Sequence, residues 1–246
     1  MMNDFTADAL NRLNQTFYAQ VGESFDATRG QAWRGWQPLL QYLHAPLTVL
    51  DIGCGNGRFA LFLAESLPED APIRYIGVDS SAYLLDRARE SCEQHGRLQT
   101  QFIQGDIVSG EIPEIEADCV ALFGVLHHIP GRDRRLALVQ TLAKRVRPGG
   151  ILAFACWRFY EYERFRKHLQ PMPEGWQVEA GDYLLNWGKH ETALRYCHYA
   201  DDAEIAELVK AAGLNQIAAY RADGFSNAVN AYRLLRRESP PSVRRP

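Results

Sequence analysis

The sequence predicts an α/β fold: a doubly wound, mostly parallel sheet of seven strands with helices on both faces. Two observations predict it. From Thr48 onward, short β-rich runs alternate with helical stretches, the texture of successive βαβ units. The first of those runs ends in Asp51-Ile52-Gly53-Cys54-Gly55-Asn56-Gly57, a glycine-rich turn that lets the backbone approach a ligand at a strand's carboxyl end.

Apolar residues at helical spacing over 5–20 and 31–43 predict two helices, with Gly22 to Gly30 as the loop between them. Together they make residues 1–46 an N-terminal helical cap ahead of a main domain at 47–237. Strands are expected at 48–52, 73–78, 100–104, 118–123 and 151–156, and helices at 58–66, 82–95 and 133–146. Arg147-Pro148-Gly149-Gly150 reads as a helix stop and turn into the fifth strand. Residues 158–192 show no clear period and read as an insertion that caps the site. Within it, Arg158 to His168 interleaves aromatic and basic residues. That pattern suits a groove for single-stranded RNA, but the preferred reading is an amphipathic helix turning Phe159, Tyr162 and Phe165 to the core. A helix over 201–212, with Asp201 or Asp202 as N-cap and Gly213 as stop, leads to strands at 215–221 and 227–235. The charged, proline-rich tail 238–246 reads as disordered.

A chain of 246 residues with 46% hydrophobic content supports one sizeable core, so two separate domains are not expected. The formal charge of -3 gives no global basic field, so a nucleic acid would have to be met by a local patch. Cys54, Cys92, Cys119, Cys156 and Cys197 form no C-x-x-C pair, which fits a reduced, cytoplasmic protein. Residues 1–14 carry no apolar run, so neither a signal peptide nor a membrane helix is expected.

The glycine loop excludes a dinucleotide site, because the last position of that fingerprint is occupied by Arg58. Asp51, ahead of the first glycine, suits a ligand bearing an ammonium and a sulfonium. Asp79, followed by Ser80, ends the second strand, where a carboxylate accepts from both ribose hydroxyls. At the end of the third strand, Asp106 is placed to accept from an adenine amino group while Ile107 covers the ring. Phe123 to Pro130, with His127 and His128, ends the fourth strand beside the reacting group. No metal centre is expected, since adjacent histidine side chains diverge and no third ligand stands at a usual spacing.

Through Leu50 to Gly57, Gly77-Val78-Asp79, Gly105-Asp106 and Arg147 to Gly150, the core resembles the class I S-adenosylmethionine-dependent methyltransferases. The resemblance implies their Rossmann-like fold with an antiparallel last strand. It also implies S-adenosyl-L-methionine held by Asp51, Gly53, Cys54, Gly55, Asn56, Gly57, Asp79, Ser80, Asp106, Ile107 and Phe123. The flanks, Phe25 to Arg29 with Trp33, Asp182 with Trp187, and Leu194 to Tyr199, are similar to the eukaryotic enzymes that methylate carboxymethyl-uridine at the tRNA wobble position. That branch implies tRNA as a partner, with a small activating subunit. The chain departs from its pattern at Asn186, Cys197 and Ala231, where the family usually has proline, tyrosine and tryptophan.

A carboxylate acceptor is ionised at neutral pH and needs orientation rather than a base. Arg29 is the first candidate for that role through a bidentate pair, with His127, Arg195 and His198 behind it. His127 and His128 support the alternative of an imidazole base acting on a small phenol, quinone precursor or acid. A non-catalytic module that binds the cofactor and activates a partner is the third reading.

Overall fold

The computed structural model describes residues 2–28, 30–68, 72–187 and 193–239, apart from the side chain of Phe25. A helix α1 (Asp4–Ala27) and a 3₁₀ helix (Arg34–Tyr42) precede β1 (Leu47–Ile52). Then follow α2 (Arg58–Ser66), β2 (Ile73–Asp79), α3 (Ala82–Glu93), β3 (Leu98–Gln104), β4 (Ala117–Phe123), α4 (Arg132–Arg145) and β5 (Val146–Trp157). An insertion carries α5 (Glu163–Arg166), β6 (Leu169–Gln170), β7 (Asp182–Trp187) and β8 (Ala193–His198). It leads to α6 (Asp202–Ala212), β9 (Asn215–Ala222) and β10 (Asn230–Arg236).

The main sheet has seven strands in the order β3-β2-β1-β4-β5-β10-β9. The pairs from β3 through β5 are parallel, and β10 runs antiparallel to both β5 and β9. Every residue of β1 is buried, as expected of a central strand covered on both faces. Its side chains alternate: Leu50 and Ile52 pack with Leu138 and Leu142 of α4 and Ile205 and Leu208 of α6. Val49 packs on the opposite face with Phe59 and Leu63 of α2 and with Trp36 and Leu39 of the 3₁₀ helix. The strand reversal at β1 therefore opens a crevice at the carboxyl ends of β1 and β4, where ligands bind in open α/β sheets.

The predicted N-terminal boundary shifts. Rather than ending near residue 20, α1 continues through Gly22 to Ala27, because Val21 packs on Ala193 and Gly22 admits the ring of Tyr83. Residues 34–42 wind as 3₁₀ rather than α, with Pro38 inside and Trp36 and Leu39 buried at its three-residue period. Arg147 to Gly150 is not a separating turn. Strand β5 starts at Val146, opposite Ala117, and the four residues bulge before pairing resumes at Ile151 with Cys119. The expected amphipathic helix at 158–168 breaks into a 3₁₀ turn and the short α5, although Phe159 is buried as anticipated. Beyond it the insertion forms a three-stranded antiparallel sheet, β6-β7-β8. That sheet carries α1, with Leu10 against Leu184 and Tyr196. Asp201 caps α6 by accepting from Glu204 N at 2.8 Å, and Gly213 ends it in the left-handed region at φ 64°.

No described helix is long and apolar enough to cross a membrane. The five cysteines are all free and buried. The tail expected to be disordered falls largely on 240–246, outside the described residues, as does the end of the insertion at 188–192.

Candidate active site

A cavity of about 980 Å³ lies at the carboxyl ends of β1, β2 and β4 under α1. It sits at the upper end of the range for small-molecule sites, which suits a cofactor together with an acceptor. The loop after β1 turns on left-handed glycines: Gly53 at φ 74°, Gly55 at φ 54° and Gly57 at φ 79°. A Cβ on Gly53 would strike Val125 at 2.2 Å, whereas one on Gly55 would meet no protein atom within 4 Å. Gly55 thus presents bare backbone to the cavity, the cradle a bound ligand requires. Gly57 does not line the cavity. It opens α2, and its closeness to Ala88 and Cys92 packs the loop on α3.

Asp79 at the end of β2 accepts from Gly55 N and Ser81 N, both at 2.9 Å. These bonds fix its carboxylate beside the glycine loop, where Ser80 also lines the cavity. Burial raises its pKa, and the backbone N–H groups of Ser81, Gly55 and Ser80 oppose that rise. Asp51 lies deeper, 3% exposed, and accepts from the Tyr75 hydroxyl. Burial pushes its carboxyl up to about 7, partly countered by that hydrogen bond. Asp106 Oδ1 accepts from Val108 N at 2.9 Å, and Oδ2 accepts from Asn11 Nδ2 at 2.8 Å and Gln15 Nε2 at 3.1 Å. Cys54, Asn56, Ile107 and Phe123 complete the wall, and Asn56 donates to Asp26 Oδ1 at 2.7 Å.

The residues expected at the acceptor, His127, His128 and Arg195, line the same cavity, joined by Trp157 and Trp187. The expectation that the two imidazoles diverge is not met: their centroids lie 4.1 Å apart, and Cys197 places its sulfur within 4.8 Å of the ring nitrogens. Both nitrogens of His128 are nevertheless engaged, Nδ1 with Tyr196 O at 2.9 Å and Nε2 with the Tyr18 hydroxyl at 2.9 Å. An Nδ1 that faces a carbonyl oxygen carries a proton, and the two contacts make His128 a fixed wall residue. His198 is not at this cavity wall. It is clamped between Asp182 Oδ1 and Glu204 Oε2, each at 2.7 Å, and Glu204 in turn pairs with the buried Arg135 at 2.6 Å. Arg29, the first candidate for the acceptor, lies outside the described residues.

Arg195, on β8, is 7% exposed. Its guanidinium carbon stands 5.0 Å from the ring centroid of Trp157, 5.2 Å from Trp187 and 5.6 Å from Phe17. Its Nε is buried with no hydrogen-bond partner among the described residues. An aromatic enclosure stabilises the cation but leaves its Nε–H without a partner among the described residues, so the arrangement favours a desolvated anion in the cavity.

The sequence marks an N-terminal helical cap but does not name the residues of α1 that line the cavity. Asn11, Asn14, Gln15 and Tyr18 all face the cavity, and Asn14 Oδ1 accepts from Tyr196 N at 2.8 Å. Their spacing of i, i+3, i+4 and i+7 was a readable signal, a polar stripe on one helix face. The aromatic box had no such signal, because its rings come from α1, β5 and β7.

A seven-stranded sheet in this order, with a glycine loop and successive strand-end carboxylates around one crevice, defines a class I methyltransferase fold. Residues 49–150 match the methyltransferase domain family. The chain therefore carries an S-adenosylmethionine-dependent methyltransferase domain. It is 27% identical over 165 residues to the tRNA (carboxymethyluridine(34)-5-O)-methyltransferase ALKBH8 of Mus musculus, covering 67% of this chain and 22% of that protein. This chain thus spans about a fifth of that relative's length. It is 31% identical over 129 residues to trans-aconitate 2-methyltransferase of Azoarcus sp., covering 52% of this chain and 46% of that one. The solved structure of a SAM-dependent methyltransferase from Methanosarcina mazei superimposes with a TM-score of 0.65 at 16% identity, covering 83% of this chain and 98% of that one.

Proposed function

We propose that this chain forms a methyl ester on a carboxylate, and that its acceptor is the carboxymethyl group of a modified wobble uridine in tRNA. The observation that carries the reading is Arg195, a buried guanidinium boxed by Trp157, Trp187 and Phe17 in the cavity that also holds the glycine loop. The names of two relatives support it, since one methylates carboxymethyl-uridine in tRNA and the other trans-aconitate, both acids.

Asp79 and the backbone of Gly53 and Gly55 would hold S-adenosylmethionine, with Asp106 and Ile107 at its adenine and Phe123 nearby. When bound, the cofactor supplies a methyl carbon on a sulfonium, so the ester C–O bond forms as the C–S bond breaks, leaving a neutral thioether and no proton to move. Arg195 binds and aims the acceptor carboxylate, and its aromatic neighbours exclude water from the pair. No general base is required, consistent with an engaged His128.

The test is methyl transfer from labelled cofactor to tRNA bearing carboxymethyl-uridine, with isolated nucleoside and small carboxylic acids as further acceptors. The expected product is a base-labile ester at the wobble nucleoside. Arg195→Ala should lower kcat/KM about 100-fold, the loss of one charged hydrogen-bonded contact of roughly 3 kcal/mol, while cofactor affinity is unchanged. Label at a base-stable position, or equal turnover by Arg195→Ala, would overturn the reading.

A further inference from the structure

Beyond the cavity mouth, Phe225 is 58% exposed in the turn between β9 and β10. Its ring is braced from within, with Tyr162 at 5.2 Å and Phe165 at 6.4 Å between centroids. The Tyr162 hydroxyl accepts from Ser226 Oγ at 3.0 Å, which ties this turn to the insertion. The guanidinium carbon of Arg164 lies 4.5 Å from the Phe225 ring centroid. Phe165 lines the cavity, and its ring is 5.0 Å from Trp157, the same tryptophan that carries Arg195. The exposed ring is therefore joined to the acceptor-binding arginine by a continuous run of aromatic contacts.

The charge around this ring is unbalanced. Glu163 is taken by Lys167 at 3.3 Å, and Glu161 by Arg158 at 2.7 Å and Arg221 at 2.6 Å. Arg164 and Arg166 pair with no described carboxylate, and Arg166 donates instead to Tyr160 O at 2.7 Å. Two guanidinium groups without a described carboxylate, Arg164 over this ring and Arg166 two residues on over the ring of Tyr160, fit a polyanion with flat bases. A lipid surface would call for several exposed apolar side chains, and this patch has one dominant ring.

We propose that Phe225, with Arg164 and Arg166, is a platform for single-stranded RNA, stacking a base that flanks the nucleotide whose side group enters the cavity. Base-on-ring stacking tolerates any base, and the arginines neutralise the adjoining phosphates. The inference deepens the RNA reading above and rests on it for the nature of the acceptor, though not for the chemistry at the methyl.

The experiment uses a short anticodon stem–loop RNA with 2-aminopurine beside the wobble position, and compares wild type, Phe225→Ala, Phe225→Trp and the double variant Arg164→Ala/Arg166→Ala. Binding by the wild type should quench the probe. Phe225→Ala should abolish the quench and weaken affinity about 5- to 100-fold, as expected for one stacked base, and Phe225→Trp should retain both. The double arginine variant should bind with a shallower salt dependence. Turnover of the isolated carboxymethyl-uridine nucleoside should be equal in wild type and Phe225→Ala. Unchanged affinity and quench in Phe225→Ala, or no RNA binding by wild type, would overturn the platform. Phe225-dependent binding without ester formation would leave the platform standing and remove the ester reading. Ester formation on RNA that is indifferent to Phe225 would do the reverse.

Discussion

Asn11 Nδ2 donates to Asp106 Oδ2 at 2.8 Å, joining α1 to the end of β3 across 95 residues of chain. Gln15 donates to the same oxygen, and one turn further on Tyr18 reaches His128. The helix therefore covers the cavity through polar contacts with the very strand ends proposed to hold the cofactor, and ligand exchange must loosen them. Replacing Asn11 and Gln15 together with alanine should speed cofactor dissociation about tenfold, from two hydrogen bonds worth roughly 0.5–1 kcal/mol each. Stopped-flow displacement of S-adenosylhomocysteine would measure it, and an unchanged rate would mean that α1 does not cover the exit.

Two glycines of one loop should respond differently to the same substitution. Gly53→Ala forces a Cβ into Val125 and a left-handed conformation on alanine, so thermal stability should fall by about 5 °C or more, from at least roughly 2 kcal/mol. Gly55→Ala carries only the conformational cost, about 1 kcal/mol or 2–4 °C, yet cofactor binding should be lost because its Cβ enters the cradle. Calorimetric melting and titration of each variant separate the two effects.

Asp51 makes stability fall with rising pH. Its folded pKa of about 7 lies above the ordinary 3.8, so the folded state holds a proton that the unfolded chain has released. The buried charge is absent at low pH, and its cost grows as pH rises from 3.8, reaching full size above 7. Between pH 6 and 8 the wild type should lose about 1.4 kcal/mol, or roughly 3–5 °C of Tm, relative to Asp51→Asn. Parallel pH profiles of the two proteins would contradict this.

The clamp on His198 has the same sign through a different cause. Burial disfavours its charge, but the hydrogen bonds to Asp182 and Glu204 outweigh that and raise its pKa above 6.5. Its contribution is therefore complete below pH 6.5 and is lost as pH rises through the raised value. His198→Gln should lower Tm by about 10 °C at pH 6, the scale of a broken buried ion pair of roughly 3–5 kcal/mol, and by clearly less at pH 10. Differential scanning fluorimetry at both pH values decides it.

The sheet and the donor side of the site were largely legible. Each strand is a short local pattern, and Gly53, Gly55, Asp79 and Asp106 stand where a strand stops, so reading the strands also located the loop and acids. Element ends were less legible where packing competes with propensity. Gly22 looked like a helix stop, but the close approach of Tyr83 holds it inside α1. The 158–168 run looked helical, but its rings serve two different surroundings, Phe159 the insertion core and Phe165 the cavity.

By itself the sequence determined the fold class, the methyl donor's class of site and the exclusion of a dinucleotide, because those depend on residues adjacent in the chain and on backbone freedom at glycine. Only the tertiary structure separated two of the described candidate cations, Arg195 at the cavity and His198 away from it. Arg195 and His198 stand three residues apart on one short strand and read alike as polar candidates. Folding surrounds Arg195 with rings from three distant segments and leaves its Nε without a described partner, while it closes His198 between two carboxylates. Burial and long-range pairing set what each charge is free to do, and neither is written in the local order of residues.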